Sequence, residues 1–452
     1  MSTQRGFLHH LRCAVILLTP ALAPAQHELS LRQAVLIALS QHPQMEAARA
    51  AHSAAADRVR EARASYWPKL HYQESIARSN NPVFVFGSLL SQHQFTQDRF
   101  AIDVLNRPDF LNNFQSVITA EQLLFDPSRG HHLEAARLNR QLAEQSERLA
   151  RTRFVAEVAR RYYAVLVAEQ AQRVANEARR SAEMDLKRAE NLREAGLITD
   201  ADVLSLQVHL AAMREQEIQA AAQLQVAWAA LNEALGRPFD ERYQLTTELT
   251  PLELPEESLL EYESAAETQR PEVLQARLAN GLARAQHGIA RASRWPQVWA
   301  RAVFEADRQE FYRKGGANGY VAVGLRWNLF DGFAREARHS AARWELVAAR
   351  LTERSTVDRA RLEVREAYAR LRAATERIAV ARASISQAQE SQRITANRYE
   401  AGLATVTDLL RVETALLESR LRYLQALYEQ RLAAITLELA SGRLSESSRV
   451  LD

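Results

Sequence analysis

A chain of 452 residues with 58 Lys and Arg, 55 Asp and Glu and a net charge of +3 has no surplus of either sign to concentrate on one face. Acidic and basic residues are interleaved throughout, which excludes the clustered basic surface of a nucleic-acid binder. Only 14 Gly and 12 Pro break the chain, and Ala, Arg, Glu, Leu and Gln dominate it, so long helices are expected.

The first element reads as a secretory leader. Arg5, His9, His10 and Arg12 form its basic head, Cys13 to Leu22 its apolar core, and Ala23–Pro24–Ala25 an A-x-A cleavage site, so 1–25 is expected to be removed. Cys13, the single cysteine, sits too early to carry a lipid. The mature protein then has no disulfide and no thiol chemistry. Beyond Ala25 no apolar run reaches the roughly 18–20 residues that a membrane helix needs. Membrane strands pass that test, because each needs only about ten alternating residues.

In the first half, a helical pattern from Pro43 gives way at Trp67–Pro68, where proline ends it. Period-two segments follow around Leu70 to Ile76 and Val117 to Phe125. Between them an aromatic-rich stretch, Phe84 to Phe114, is read as a long loop. From about His131 to Glu194 nothing breaks the helix. That is roughly 95–100 Å at 1.5 Å per residue, where globular helices average about 11–12 residues. Gly196 supplies the left-handed residue that stops it. Thr199 then caps a return helix, with Asp202 at the N3 position, and that helix runs to Leu235.

The second half repeats the first. Pro43–Gln44–Met45–Glu46 and Ala64–Ser65–Tyr66–Trp67–Pro68 recur, shifted by 228 positions, as Pro271–Glu272–Val273–Leu274 and Ala292–Ser293–Arg294–Trp295–Pro296. Leu124–Phe125–Asp126 recurs 205 positions on as Leu329–Phe330–Asp331, and Glu194–Ala195–Gly196–Leu197 recurs 206 positions on as Glu400–Ala401–Gly402–Leu403. Thr405 and Asp408 repeat the cap. The chain is therefore read as two structural repeats, 26–236 and 237–452, the unit of about 200 residues being too long for a solenoid. The second helix, from about Arg335 to Glu400, carries a heptad seam: Val357, Val364, Leu371, Ile378 and Ile385 alternate with Ala360, Ala367, Ala374, Ala381 and Ala388. Its strands are Val298 to Asp307 and Tyr320 to Leu329, each with one apolar and one mostly polar face, joined by a turn at Lys314–Gly319. The first half carries 23 more residues, 228 against 205, in its loop.

Four strands per chain cannot close a barrel, and an open sheet leaves its edges exposed. Three copies would bring twelve strands, an even number within the known range for membrane barrels. The helical hairpins would then assemble into a tube on the same axis.

Taken together, the leader, the duplicated helix–hairpin–helix layout, the paired Leu-Phe-Asp sequences and the paired Glu-Ala-Gly-Leu turns resemble those of TolC-like outer-membrane efflux proteins. The resemblance covers nearly the whole mature chain. It implies a mostly α homotrimer whose twelve-stranded barrel in the outer membrane of a Gram-negative bacterium continues as a long α-helical coiled-coil tunnel in the periplasm. It implies the exit duct of a tripartite efflux or type I secretion system. Substrates would pass unchanged from a periplasmic adaptor (membrane fusion protein) and, indirectly, an inner-membrane pump. No cofactor and no nucleic acid are implied.

The same resemblance places adaptor docking at the tips Gly196, Leu197, Thr199, Gly402, Leu403 and Thr405, beside Asn191 and Asn397. It places a periplasmic gate at Asp408, with Asp202 as its counterpart in the first copy. Arg411 stands where some relatives carry a second acidic residue, and it could pair with Asp408. Trp67, Pro68, Trp295 and Pro296 suit a membrane interface, and the Phe84–Phe114 loop would be extracellular, over the outer mouth. Catalysis finds no support. His131–His132 lacks the i, i+4 spacing of a zincin, and Gly315–Gly316 opens no phosphate-binding helix. A soluble periplasmic coiled-coil scaffold or adaptor would explain the seam and the leader. It would not explain two amphipathic β-hairpins at matching positions.

Overall fold

The structure is a computed structural model that describes residues 28–253, 257–313 and 315–452. The expected leader, 1–25, with Cys13, lies outside the described residues. In chain order come β1 (Glu28–Leu29), α1 (Leu31–Gln41), α2 (Pro43–Ala64), β2 (Lys69–Ser79), α3 (Pro82–Ser91), α4 (Ile102–Asn106), β3 (Leu111–Phe125), α5 (Arg129–Glu194) and α6 (Asp200–Leu235). Then follow β4 (Gln244–Leu245), α7 (Leu259–Gln269), α8 (Pro271–Ala292), β5 (Gln297–Arg308), β6 (Gly316–Arg326), α9 (Ala334–Glu400) and α10 (Val406–Ser441).

Local chemistry sets the boundaries. Helices α2 and α8 are both 22 residues long, and each begins on a proline, where the missing N–H has no intrahelical role. Each hands over to a strand at Trp-Pro, since a second proline cannot continue the helix. Helices α5 and α9 run 66 and 67 residues without a break, roughly 100 Å each.

The four long strands form one antiparallel sheet in the order β2-β3-β5-β6. Strands β3 and β5 join the two halves of the chain. Register puts Leu70, Tyr72 and Ile76 of β2 on one face with Ile118 of β3, Phe304 of β5 and Val321, Val323 and Leu325 of β6. All of these are exposed. The opposite face carries Gln73, Ser75, Asn113, Gln115, Thr119, Glu121, Arg301, Glu305, Asp307 and Asn318. Cross-strand bonds run along it: Arg301 Nη2 donates to Glu121 Oε2 at 2.9 Å, and Gln115 Nε2 to Glu305 Oε1 at 2.6 Å. An apolar face in water, with a cross-bonded polar face behind it, inverts the order of a soluble sandwich and matches a barrel stave. Among the described residues, β2 and β6 have no partner on their outer edges.

Several sequence expectations need correction here. Strand β3 starts at Leu111, so Phe114 is part of the ladder. Strand β6 starts at Gly316, so Gly316–Gly319 pair with Phe304–Asp307 and the turn falls at 309–315, where Lys314 lies outside the described residues. Leu124–Phe125 does end β3, but β6 stops at Arg326, leaving Leu329–Phe330–Asp331 beyond the strand. The stretch from Phe84 is no simple loop either. Pro82 at N1 and the Asn81 side chain, which accepts from Val83 N at 3.0 Å and Phe84 N at 3.2 Å, start helix α3.

Below the sheet the helices lie side by side. In the half next to the sheet, α2 packs on α5, α5 on α8, and α8 on α9. In the distal half the order is α6, α5, α10, α9. The heptad seam of α9 is buried from Ala360 to Ile378. Between the halves sits the main core, where Tyr162 and Tyr163 of α5, Trp228 and Leu231 of α6 and Leu31 and Val35 of α1 pack together. The Tyr162 hydroxyl donates to Leu29 O at 2.8 Å and accepts from Thr247 N at 3.1 Å, which ties the short β1–β4 pair to the long helix. No helix among the described residues is long and apolar enough to cross a membrane.

Candidate functional site

Both distal ends are built from the same parts. At Gly196 and at Gly402 φ is +71°, a left-handed conformation that glycine adopts with little strain. Leu197 N donates to Leu192 O at 2.9 Å and Leu403 N to Arg398 O at 2.8 Å, closing each helix in the manner of a Schellman turn. Ala195 N and Ala401 N each reach the carbonyl of Asn191 or Asn397 at 3.1 Å. The return helices open with full capping boxes. Asp202 N donates to Thr199 Oγ1 at 3.3 Å, Asp408 N donates to Thr405 Oγ1 at 3.2 Å, and each aspartate accepts from the threonine N–H in return. The two tips are locked together by Ala189, Val203 and Leu206 packed on Tyr399, Val406 and Leu409. Leu197 and Leu403 stand outside this core, 71% and 69% exposed.

The charges are not duplicated. Arg411 Nη2 lies 3.4 Å from Asp408 Oδ1. The hydroxyl and backbone N–H of Thr405, and then Arg411 and Arg398, hold the Asp408 carboxyl below its usual range. The Thr405 bonds dominate and Arg411 is largely exposed, so the ion pair is secondary to the cap. Arg398 escaped the sequence reading. It donates to Leu403 O at 3.2 Å, and its signal was the broken repeat: Leu192 stands at its place in the first copy, and Ser205 at that of Arg411. Asp202 serves its own cap, with Thr199 Oγ1 at 2.7 Å.

At the other end of the helices, Trp67 and Trp295 are exposed, each one residue before the proline that precedes a strand. The Trp327 indole donates to Arg294 O at 3.1 Å. Tyr66, Phe330 and Phe333 complete a band of exposed aromatics where helices meet sheet. Pro68 and Pro296 separate helix from strand at the same level.

At the far edge of the sheet, α3 lies on the polar face. Gln92 Nε2 donates to Asn113 Oδ1 at 2.8 Å, and Asn113 Nδ2 to Asp307 Oδ1 at 2.6 Å. Asn318 Nδ2 donates to Ser91 O at 3.1 Å. A Cβ on Gly316 would come within 2.0 Å of that same Ser91 oxygen, so only glycine lets the helix end approach. Val85 and Leu89 pack on Leu111 beneath it.

Residues 35–237 and 263–443 match the outer membrane efflux protein family. The chain belongs to this family. It is 29% identical over 441 residues to Protein CyaE of Bordetella pertussis, covering 95% of this chain and 87% of that protein. Its fold is that of a membrane protein from Pseudomonas aeruginosa, with a TM-score of 0.80, 20% identity and coverage of 94% and 93% of the two chains. It is also that of the outer membrane protein VceC from Vibrio cholerae, with a TM-score of 0.76, 20% identity and coverage of 91% and 96%. The protein is an outer-membrane exit duct for efflux or secretion, and it is not an enzyme. Its place is the outer membrane, with the long helices forming a periplasmic tunnel.

Proposed function

We propose that three copies assemble around one axis into a twelve-stranded barrel continued by a closed helical tube. The observation that carries this is the pair of unpartnered edges on both layers. Beside the open edges of β2 and β6, the outermost helices leave apolar side chains in solvent: Leu204, Val208, Ile218 and Val226 on α6, and Leu351, Leu362, Val380 and Ile394 on α9. Edge strands so exposed invite pairing, and cyclic closure satisfies strands and helices at once.

In this reading the apolar sheet face meets lipid and the aromatic band sits at the inner membrane–water boundary. The polar face lines the lumen, and α3 narrows the outer mouth from inside. The tips form the periplasmic entrance, with Asp408 and Arg411 as its ionic element and Asp202 as a plain cap. Gly196, Leu197, Thr199, Gly402, Leu403 and Thr405 form the surface on which a periplasmic adaptor docks. An inner-membrane pump supplies the substrate through that adaptor, in a tripartite efflux or type I secretion system. Residues 1–25 are a removed leader, and 26–236 and 237–452 are two copies of one unit.

The test is export with adaptor cross-linking. Leu403→Glu should abolish both while the protein reaches the membrane in normal amount, because a charge on an exposed leucine does not disturb the core beneath it. Normal export and normal cross-linking in this variant and in Leu197→Glu would overturn the docking assignment.

A further inference from the structure

Eleven residues before Gly196 and eleven after Gly402, the chain places Asp185 of α5 against Glu413 of α10. That is about 16 Å above the tips along the helices. His209 of α6 completes the group, with its Nε2 3.3 Å from Glu413 Oε2. The side chains of Glu413 and His209 are each only 9% exposed. Among the described residues no N–H or O–H is directed at either Glu413 oxygen. A cavity of about 230 Å³ opens beside them, lined by Val174, Ser181, His209, Met213, Gln392 and Glu413.

Two carboxyl groups in contact cannot both stay ionised in so buried a place. The neighbouring cations are engaged elsewhere. Arg188 on α5 is 3.5 Å from Asp185 but 2.9 Å from Glu400 of α9. Arg420 on α10 is held by Glu177 of α5 at 2.8 Å. Tyr399 of α9 faces the group from the tip side and brings no charge. Ser181 Oγ is 3.5 Å from Asp185 Oδ2. A proton shared between Asp185 and Glu413 therefore supplies the missing donor.

The duplication sharpens this. The repeat places Ser391 where Asp185 stands, Gln207 where Glu413 stands and Ala415 where His209 stands. The helix faces related by the repeat are neutral, and the acid pair occurs only where α5 meets α10. We propose that Asp185, Glu413 and His209 form a proton-operated clasp between the two hairpins of one chain, holding the tunnel entrance shut in acid and releasing it as the shared proton leaves. This rests on the tips being the entrance.

The direction follows from the carboxyl. Burial, and then the hydrogen bond and charge of Glu413, raise Asp185 from its ordinary 3.8 to about 7. The closed junction is thus fully stabilised below 3.8 and loses that stabilisation as pH rises through about 7. The cavity admits the water that carries the proton away.

The test is a distance across the junction in the assembled protein, with spin labels on Lys187→Cys of α5 and Thr414→Cys of α10. Both positions are exposed, and the only native cysteine is Cys13, in the leader. Labelled chains are diluted among unlabelled ones so that each pair reports on one chain. From about pH 5 to about pH 8.5 the ratio of separated to closed pairs should rise at least about tenfold, with a midpoint near 7. Asp185→Asn and Glu413→Gln should hold the closed distance throughout, while Asp185→Glu keeps the titration. A ratio that moves less than about twofold in the unsubstituted background, or an Asp185→Asn protein that titrates like it, overturns the clasp. The measurement needs no adaptor and no transport, so it fails independently of the duct assignment, which pore formation tests.

Discussion

At residue 196 and again at residue 402 the chain turns by one device: glycine at φ +71°, an exposed leucine after it, and a Thr–Asp capping box opening a return helix of 36 residues. Around that shared backbone the charges part company. The second tip adds Arg398 and Arg411 to its aspartate, where the first has Leu192 and Ser205. The outer ends of the two halves diverge further, with α3, α4 and the segments around them between β2 and β3 but only residues 309–315 between β5 and β6. Geometry was kept where both copies must fit one tube, and side chains and loops were free to specialise around it.

The largest expected effect tests whether the two turns are equivalent. A β-branched residue is strained at positive φ, so Gly196→Val and Gly402→Val should each destabilise the local hairpin by on the order of 1–3 kcal/mol. Hydrogen exchange at the tip amides should speed by similar factors in the two variants. A much smaller effect at one site would show that the two turns do not bear the same constraint.

Next comes the divergence at the outer ends. Gly316→Ala places a methyl within 2.0 Å of Ser91 O, so α3 must lift from the polar face. Single-channel conductance should increase while assembly is unchanged. Unaltered conductance would mean that α3 leaves the mouth open already.

Loss of a cap is smaller. Thr199→Ala and Thr405→Ala should each cost about 1 kcal/mol of local stability. At the second tip the effect is linked to pH. The Asp408 carboxyl is lowered from 3.8, so its stabilising contribution is present above 3.8 and fades as pH falls through its lowered value. Acid should therefore fray the Thr405 cap while it tightens the α5–α10 junction, a divergence that hydrogen exchange at the two places resolves.

The smallest effect is expected from Arg411→Ser, which gives the second tip the residue of the first. The pair it removes is exposed, and a shift in cation selectivity of under about threefold is expected from reversal potentials. A large shift would promote Arg411 from an accessory to the main gating charge.

Much of this was legible in the sequence because its signals are local. Heptad spacing in α9, glycine at 196 and 402 and threonine three residues before aspartate each act within a turn or two of their own position. Helix α3 was not legible in that way. Val83–Phe84–Val85–Phe86 suits a strand or an apolar loop as well as a helix, and what decides is Asn81 at its start and the Gln92–Asn113–Asp307 contacts across the chain. The start of β6 was hidden because Gly316, Asn318 and Gly319 are poor strand residues, held there by pairing with β5. Asp185, His209 and Glu413 come from three helices and share no pattern at all. Only packing brings them together.

The account stands on the sheet being one stave set of a ring built from several copies of the chain. Native mass spectrometry of the mature protein, extracted in detergent from the outer membrane, addresses that directly. A single species of three chains is predicted, dissociating only when the barrel itself unfolds. A stable monomer that stays in solution without detergent would contradict it.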